Sequence, residues 1–278
     1  MLTITKQQPT LDINYAAVKE KQRLTWGSGD YGRIGVTLQI TGEQLCESMD
    51  LKSGESVLDI ASGNGNVTLA AARRFCHVTS TDYVESLLDQ SKKRAQAEGL
   101  DIEYQFADAE ALPFGDSAFD NVVSTFGVMF TPNQAQSAKE LLRVCKSGGK
   151  IGLVNWTPEG FVGQLFKLIG KYVAPPAGLK SPALWGTRPF IEEHFAGLAS
   201  DITFRSREFV FRYCSAQHWI DLFRAYYGPV HKAFSVLDEK QAACLEQDIH
   251  QLIARFNRDQ DNTMVVPSEY LEIVVQKR

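Results

Sequence analysis

Between positions 56 and 156 the chain alternates short apolar runs with stretches of helical periodicity, and this alternation restricts the fold more than any other feature. Residues 56–60 form an apolar run that enters a glycine-containing turn and then a small-residue helical stretch around 66–74. Residues 77–81 form a second strand, followed by Val84, Leu87, Leu88 and Ala95 at helical spacing. Ile102, Tyr104 and Phe106 alternate with polar residues, as a half-exposed strand does. A fourth strand is expected at 121–126. Thr131 and Pro132 then supply an N-cap and a first-turn proline to a helix whose buried face carries Ala135, Ala138, Leu141, Leu142 and Cys145. Lys146 and Gly148 are expected to end that helix, and 150–154 reads as a fifth strand. Strands alternating with helices imply parallel βαβ units with right-handed crossovers, hence a doubly wound α/β sheet.

Beyond Trp156 the pattern changes. Residues 161–173 look helical, and 175–189 read as a long Pro/Gly-rich loop. Ile202, Phe204, Phe209, Phe211 and Tyr213 suggest strand, 215–227 and 238–256 suggest helices, and Leu271, Ile273 and Val275 close the chain as a strand. No internal repeat, low-complexity tract or interdomain linker interrupts the 278 residues. A formal net charge of −4 gives no electrostatic footprint for nucleic acid or an anionic membrane. The five cysteines are widely spaced without a CxxC pair, so neither a zinc site nor a disulfide framework is expected. The first residues lack the basic-then-apolar order of a signal peptide, and no apolar run reaches the ~18 residues of a membrane span. These features predict a cytoplasmic protein with reduced thiols.

The strongest chemical signal is Val57-Leu-Asp-Ile-Ala-Ser-Gly-Asn-Gly-Asn66 at the first strand–helix junction. Gly63 and Gly65 permit a tight turn and close approach of backbone to a ligand. The helix start beyond them offers free N–H groups to an anionic group. A dinucleotide fingerprint begun at Gly63 would need a third glycine where the chain has Thr68, which counts against NAD. Asp82, at the end of the second strand, is placed to accept both hydroxyls of a ribose, in NAD or in S-adenosylmethionine (SAM) alike. Asp108, in Phe106-Ala-Asp-Ala-Glu-Ala-Leu-Pro-Phe114, lies just past the third strand, where it can accept from an adenine amino group while the Ala109 backbone reads the ring edge.

In this order the three stations resemble the class I SAM-dependent methyltransferases, in the small-molecule branch that includes the ubiquinone/menaquinone biosynthesis enzymes. The resemblance covers about 100 residues, 56–156. It implies that Asp59, Gly63 and Gly65, with Ala61 and Asn64 of the same turn, hold the methionine end of SAM. It places Asp82 at the ribose, Asp108 and Ala109 at the adenine, Tyr83 against the adenine ring and Phe126 on the sulfonium side. Trp26-Gly-Ser-Gly-Asp-Tyr31 looks like the N-terminal lid of these enzymes, with Tyr31 reaching the carboxylate. The implied fold is α/β: a doubly wound, mostly parallel seven-stranded sheet of order 3-2-1-4-5-7-6. It would carry a helical lid over 1–45, a SAM-binding domain over 46–278 and, within it, a helical cap insertion at 215–267.

The same comparison narrows the acceptor. Ser124-Thr-Phe-Gly127 stands where nucleic-acid amino-methyltransferases carry an Asn/Asp-Pro-Pro-aromatic motif, and no Pro-Cys occurs as in cytosine C5 enzymes. Asn155-Trp156 replaces the Asp-Asn pair of metal-dependent catechol-type enzymes, so no metal is expected. The expected reaction is methyl transfer to a small, partly apolar metabolite at O, C or N, by a monomer or homodimer that binds no nucleic acid and inserts in no membrane. An NAD(P)-dependent oxidoreductase and a non-catalytic SAM-binding protein are the rival readings. His218 is the first candidate for a base, but no catalytic residue is assigned. Trp219, Leu222, Phe223 and Tyr226 form an apolar stripe expected to enclose the acceptor; the pair Tyr226-Tyr227 could line a pocket or pack the cap, and packing is the expected role.

Overall fold

A computed structural model gives the structure of residues 13–278. Five strands run parallel: β1 Ser56–Ile60, β2 His77–Asp82, β3 Glu103–Phe106, β4 Phe119–Thr125 and β5 Cys145–Trp156. Two long strands, β6 Ala199–Tyr213 and β7 Met264–Lys277, pair antiparallel, and the sheet order is β3-β2-β1-β4-β5-β7-β6, as the resemblance implies. β1 and β4 at the centre are buried along nearly their whole length, because helices cover both faces. β3 is the parallel edge, and its Phe106 is 53% exposed despite the alternating pattern. With no strand beyond it, that edge has less to bury against.

The N-terminal segment forms α1 Tyr15–Gly27, the single turn α2 Gly32–Gly35 and α3 Gln39–Met49, which runs across position 45. The crossover helices are α4 Asn66–Ala72, α5 Glu85–Glu98 and α6 Gln134–Val144, followed by α7 Phe161–Tyr172 and α8 Arg188–Phe195. Between β6 and β7 the chain inserts α9 Ala216–Tyr226, α10 Gly228–Val236 and α11 Glu239–Phe256. Ser215 caps α9 by accepting the His218 N–H, and Asp238 starts α11 with a capping box. None of the helices among the described residues is long and apolar enough to cross a membrane.

Several local expectations change. The cap of α6 is Asn133, whose side chain accepts the Gln136 N–H, rather than Thr131. Thr131 is extended at the end of a 3₁₀ turn, Val128–Phe130, with its hydroxyl donating to Val128 O at 2.8 Å. The helix ends at Val144, before Lys146 and Gly148, because Cys145 is already extended and pairs with Phe119. Lys146 instead reaches Asp120 at 2.7 Å. The stretch 175–189 is not a continuous loop. Ser181 caps a 3₁₀ turn at Pro182–Gly186, and Pro189 sits in the first turn of α8. α10, with Pro229 in its own first turn, is absent from the sequence reading.

One close approach fixes how the N-terminal segment meets the sheet. A Cβ on Gly42 of α3 would lie 2.8 Å from the carbonyl carbon and oxygen of Asn66 and 2.9 Å from the Val67 nitrogen. These are backbone atoms of α4 and cannot rotate away. Gly42→Ala gains about 0.5–1 kcal/mol of helix propensity but overpacks the contact at a cost of about 1–3 kcal/mol, so overpacking dominates. Urea unfolding should show a lower midpoint at unchanged slope. A midpoint at or above the parent's would show that α3 shifts without cost.

Candidate active site

The carboxyl ends of β1, β2 and β4 open into a cleft of about 830 Å³. β1 leaves the sheet through a turn that needs left-handed backbone at Gly63 (φ 55°) and Gly65 (φ 84°). At Gly65 a Cβ would also meet the Ser91 hydroxyl oxygen at 2.0 Å, so two separate constraints require glycine there. Arg94 of α5 supports the turn from outside, donating to Asn64 O at 2.7 Å and to Asn66 Oδ1 at 2.9 Å. Two non-glycine residues, Ala61 (φ 51°) and Phe126 (φ 55°), are also left-handed, at the exits of β1 and β4. Gly127 lets these exits touch, since a Cβ there would lie 2.0 Å from Ala61 O. Such strain costs about 1–3 kcal/mol per residue and gathers at ligand sites.

Asp82 is almost fully buried. Its Oδ2 accepts the Gly63 N–H and its Oδ1 the Val84 N–H, each at 2.9 Å. Burial pushes its carboxyl up to about 6, although the N–H groups of Gly63, Val84 and Tyr83 pull the other way. Asp59 lies beneath the cleft wall rather than on it, with no exposed surface. Its Oδ2 accepts the Thr68 hydroxyl, and its Oδ1 has no partner among the described residues. Burial pushes Asp59 up to about 8; the Thr68 bond opposes this and the nearby Asp82 charge adds to it.

Past β3, Asp108 Oδ1 accepts the Glu110 N–H at 2.9 Å. Its Oδ2 meets Lys19 Nζ of α1 at 2.5 Å, and Lys19 also lies 3.1 Å from Glu110 Oε2. Glu110 Oε1 in turn accepts the Asn133 N–H at 2.7 Å. α1 closes over this end of the cleft: Gln22 Nε2 donates to Phe130 O at 3.0 Å. Trp26 meets Phe130, Tyr31 and Tyr227 edge-on at 4.8, 5.6 and 5.6 Å.

Behind Tyr31 and Phe126 lies a second chamber of about 380 Å³. It shares Trp26, Tyr31, Phe126 and Phe130 with the cleft and is completed by Ile34, Leu38, Trp156, Val162, Phe211, Phe223 and Tyr227. Phe126 stacks on Trp156 at 4.0 Å and 14°. Among the described residues Tyr31 and Tyr227 are the lining residues that carry a hydroxyl, and neither hydroxyl is hydrogen-bonded there. Burial holds Tyr31 up at about 12, with Asp82 adding to it, and raises Tyr227 well above its ordinary value. Both phenols therefore stay protonated near neutral pH and act as donors.

The structure brings most of the expected site residues together. Trp26, Tyr31, Ala61, Gly63, Asn64, Asp82, Tyr83, Asp108, Ala109 and Phe126 all line the cleft, whereas Asp59 and Gly65 shape it from below. Lys19, Glu110, Phe130, Thr131 and Pro132 also line it without having been singled out. The Phe-Thr-Pro run after β4 was a usable signal for three of these; a lone lysine in α1 was not. In α9, Trp219 is fully buried but faces Phe161 at 5.4 Å and stacks on Phe223 at 3.9 Å, away from both cavities. Tyr226 lies under Arg33 at 5.0 Å. Phe223 and Tyr227 are the cap residues that reach the chamber, so Tyr227 corrects the expectation of mere packing. His218 is exposed, its Nδ1 3.3 Å from the Cys214 N–H, and it lies on neither cavity wall.

Comparison with known proteins agrees with this geometry. The methyltransferase-domain family matches residues 58–153. An uncharacterized protein of Mycobacterium tuberculosis is 37% identical over 279 residues, covering 99% of this chain and 100% of its own length. A demethylmenaquinone methyltransferase of Clavibacter sepedonicus is 32% identical over 155 residues, covering 53% of this chain and 63% of its own. Among solved structures, a putative methyltransferase from Bacillus halodurans superposes with a TM-score of 0.57 at 22% identity, covering 84% of this chain and 97% of its own.

The buried Asp59 makes a testable demand on stability. Its folded value of about 8 exceeds the ordinary 3.8, so the stability of the protonated form is complete below about 4 and is lost progressively as pH rises through about 8. Asn keeps an acceptor for Thr68 but cannot ionise. Without ligand, Asp59→Asn should therefore melt increasingly above the parent as pH rises from about 4, with the gap levelling off above about 8. Melting curves that stay parallel across this range would show that Asp59 bears no burial penalty.

Proposed function

We propose, for a chain that belongs to the class I SAM-dependent methyltransferases of the small-molecule branch, that its acceptor is a largely apolar ring compound bearing oxygen. Membership makes methyl transfer its reaction and SAM its cofactor. The residues of the cleft fit that cofactor: Asp82, Asp108 and Glu110 face it against the single ammonium of Lys19, a balance that favours a cationic ligand. SAM supplies a sulfonium methyl to a nucleophile held in line with it. In our reading Asp82 accepts the ribose hydroxyls, Asp108 and Ala109 take the adenine, and the turn from Ala61 to Gly65, which Asp59 supports from beneath, holds the methionine end.

The carrying observation is the aromatic chamber, which shares four wall residues with the cleft and counts the two phenols of Tyr31 and Tyr227 among its lining. Its walls exclude water and position the acceptor, which supplies much of the rate of such a displacement. The hydroxyls of Tyr31 and Tyr227 orient an acceptor oxygen by donating to it. Among the described residues no histidine or carboxylate lines the chamber, so in this reading the acceptor brings its own nucleophilicity, as an enol, a phenol or the conjugated ring carbon. The similarity to a demethylmenaquinone methyltransferase supports a ring acceptor. We take the cytoplasm as the compartment, supported by five free cysteines of which Cys46, Cys76 and Cys145 are buried.

Incubation with methyl-labelled SAM and a panel of phenols, quinols, alkyl amines and oligonucleotides tests the class. Label should enter the phenols or quinols, and label confined to amines or nucleic acid would overturn it. Phe223→Ala should raise the acceptor KM at least about tenfold while leaving SAM affinity within about twofold. Asp82→Ala should do the opposite, weakening SAM by roughly ten- to a hundredfold. Equal losses of both ligands in both variants would point to general loosening rather than two subsites.

A further inference from the structure

We propose that Lys19 is the latch of the cofactor site: it ties the lid helix α1 to the carboxylate that reads adenine, so that cofactor leaves only when this bridge opens. The inference rests on the reading of Asp108 as the adenine station. α1 has no fully buried residue, so beyond the packing of Trp26 on Phe130 and Tyr227 its attachment depends on a few discrete contacts. Among the described residues, its side-chain hydrogen bonds and ion pairs to the rest of the molecule come from Lys19 and Gln22. Both end on the cleft. Lys19 spans Asp108 at 2.5 Å and Glu110 at 3.1 Å, and Gln22 takes the carbonyl of Phe130.

The partners of Lys19 are themselves held. The Glu110 N–H fixes one oxygen of Asp108, and the Asn133 N–H fixes one oxygen of Glu110. Lys19 thus closes onto a rigid pair of carboxylates, and about a quarter of its side chain is exposed. Desolvation alone would lower its ammonium, yet the bonds to Asp108 and Glu110 outweigh this and raise it, so the bridge is ionic at neutral pH. Its orientation of Asp108 also matters for recognition. With donors on both oxygens, Asp108 is fixed as an acceptor facing the cleft, where an adenine amino group completes the set. Adenine and lid then bind the same carboxylate together, and each keeps the other in place.

Release of labelled S-adenosylhomocysteine, chased by unlabelled ligand, tests this on the full chain with Lys19→Met, Lys19→Arg and Asp108→Asn. Lys19→Met should release the ligand roughly tenfold faster, at a rate nearly independent of salt, whereas the parent's release accelerates with salt. Lys19→Arg should restore slow, salt-sensitive release, which a purely packing role for the lysine stem would not require. Slower release or tighter binding in Lys19→Met would make the lysine a competitor of adenine and overturn the latch. If Asp108→Asn weakens binding while Lys19→Met releases at the parental rate, the latch fails and the adenine station stands. If Asp108→Asn leaves affinity unchanged, the station itself is wrong.

Discussion

Two backbone N–H groups on one buried carboxylate hold the site together. Asp82 accepts from Gly63, in the turn after β1, and from Val84, just before α5. Parallel strands leave the sheet in the same direction, and nothing in the ladder itself fixes how their exits diverge. The Asp82 bonds set that divergence, and the crevice at the switch point follows from it. Underneath, Thr68 connects the layers: its hydroxyl reaches both Asp59 on β1 and Ser80 on β2. The residue that breaks the dinucleotide fingerprint thus has its own task, joining α4 to the sheet by hydrogen bonds where a glycine would allow bare contact.

The two cavities are not independent rooms. Trp26 and Tyr31 come from the N-terminal segment, Phe126 and Phe130 from the exit of β4, and these four rings belong to both. Tyr31 stands between Asp82 on one side and Tyr227 on the other, 6.3 Å from the latter ring. Whatever places the N-terminal segment therefore shapes the wall of the chamber at the same time as that of the cleft. A shift of any of these four rings would change both walls at once, without any change in the sheet.

The parallel core was legible because its signals are local and redundant: apolar runs, a turn that requires glycine, and helices with one buried face. Sheet order came from resemblance, since no local pattern says that β7 lies between β5 and β6. Boundaries failed where two residues competed for one role. Thr131 looked like a cap, but Asn133 stands two residues nearer the helix and its amide accepts the Gln136 N–H. In the cap insertion, periodicity identified a buried stripe on α9 without saying what it faces. Trp219 turned to Phe161 and Phe211, while Tyr227, just past the end of the helix, reached the chamber. Lys19 carried no signal at all. A lysine on a polar helix is ordinary until its two carboxylates, some ninety residues away in sequence, are brought beside it.

The position of β7 has a consequence for how the molecule comes into being. This strand, later in sequence than both of its neighbours, runs between β5 and β6, paired from Lys150 to Trp156 on one side and from Ala199 to Tyr213 on the other. During synthesis both neighbours emerge long before it does, each with an open edge ready for a partner. The nascent chain must hold β6 in waiting through the whole α9–α11 insertion, since β6 gains a place in the sheet only when β7 arrives. Charged residues along β6, among them Asp201, Arg205, Arg207, Glu208 and Arg212, make that edge a poor template for a stray strand in the interval. The cofactor half of the protein, complete by Trp156, can gather much earlier. The chamber wall that Phe211, Phe223 and Tyr227 supply from β6 and the insertion is assembled after it.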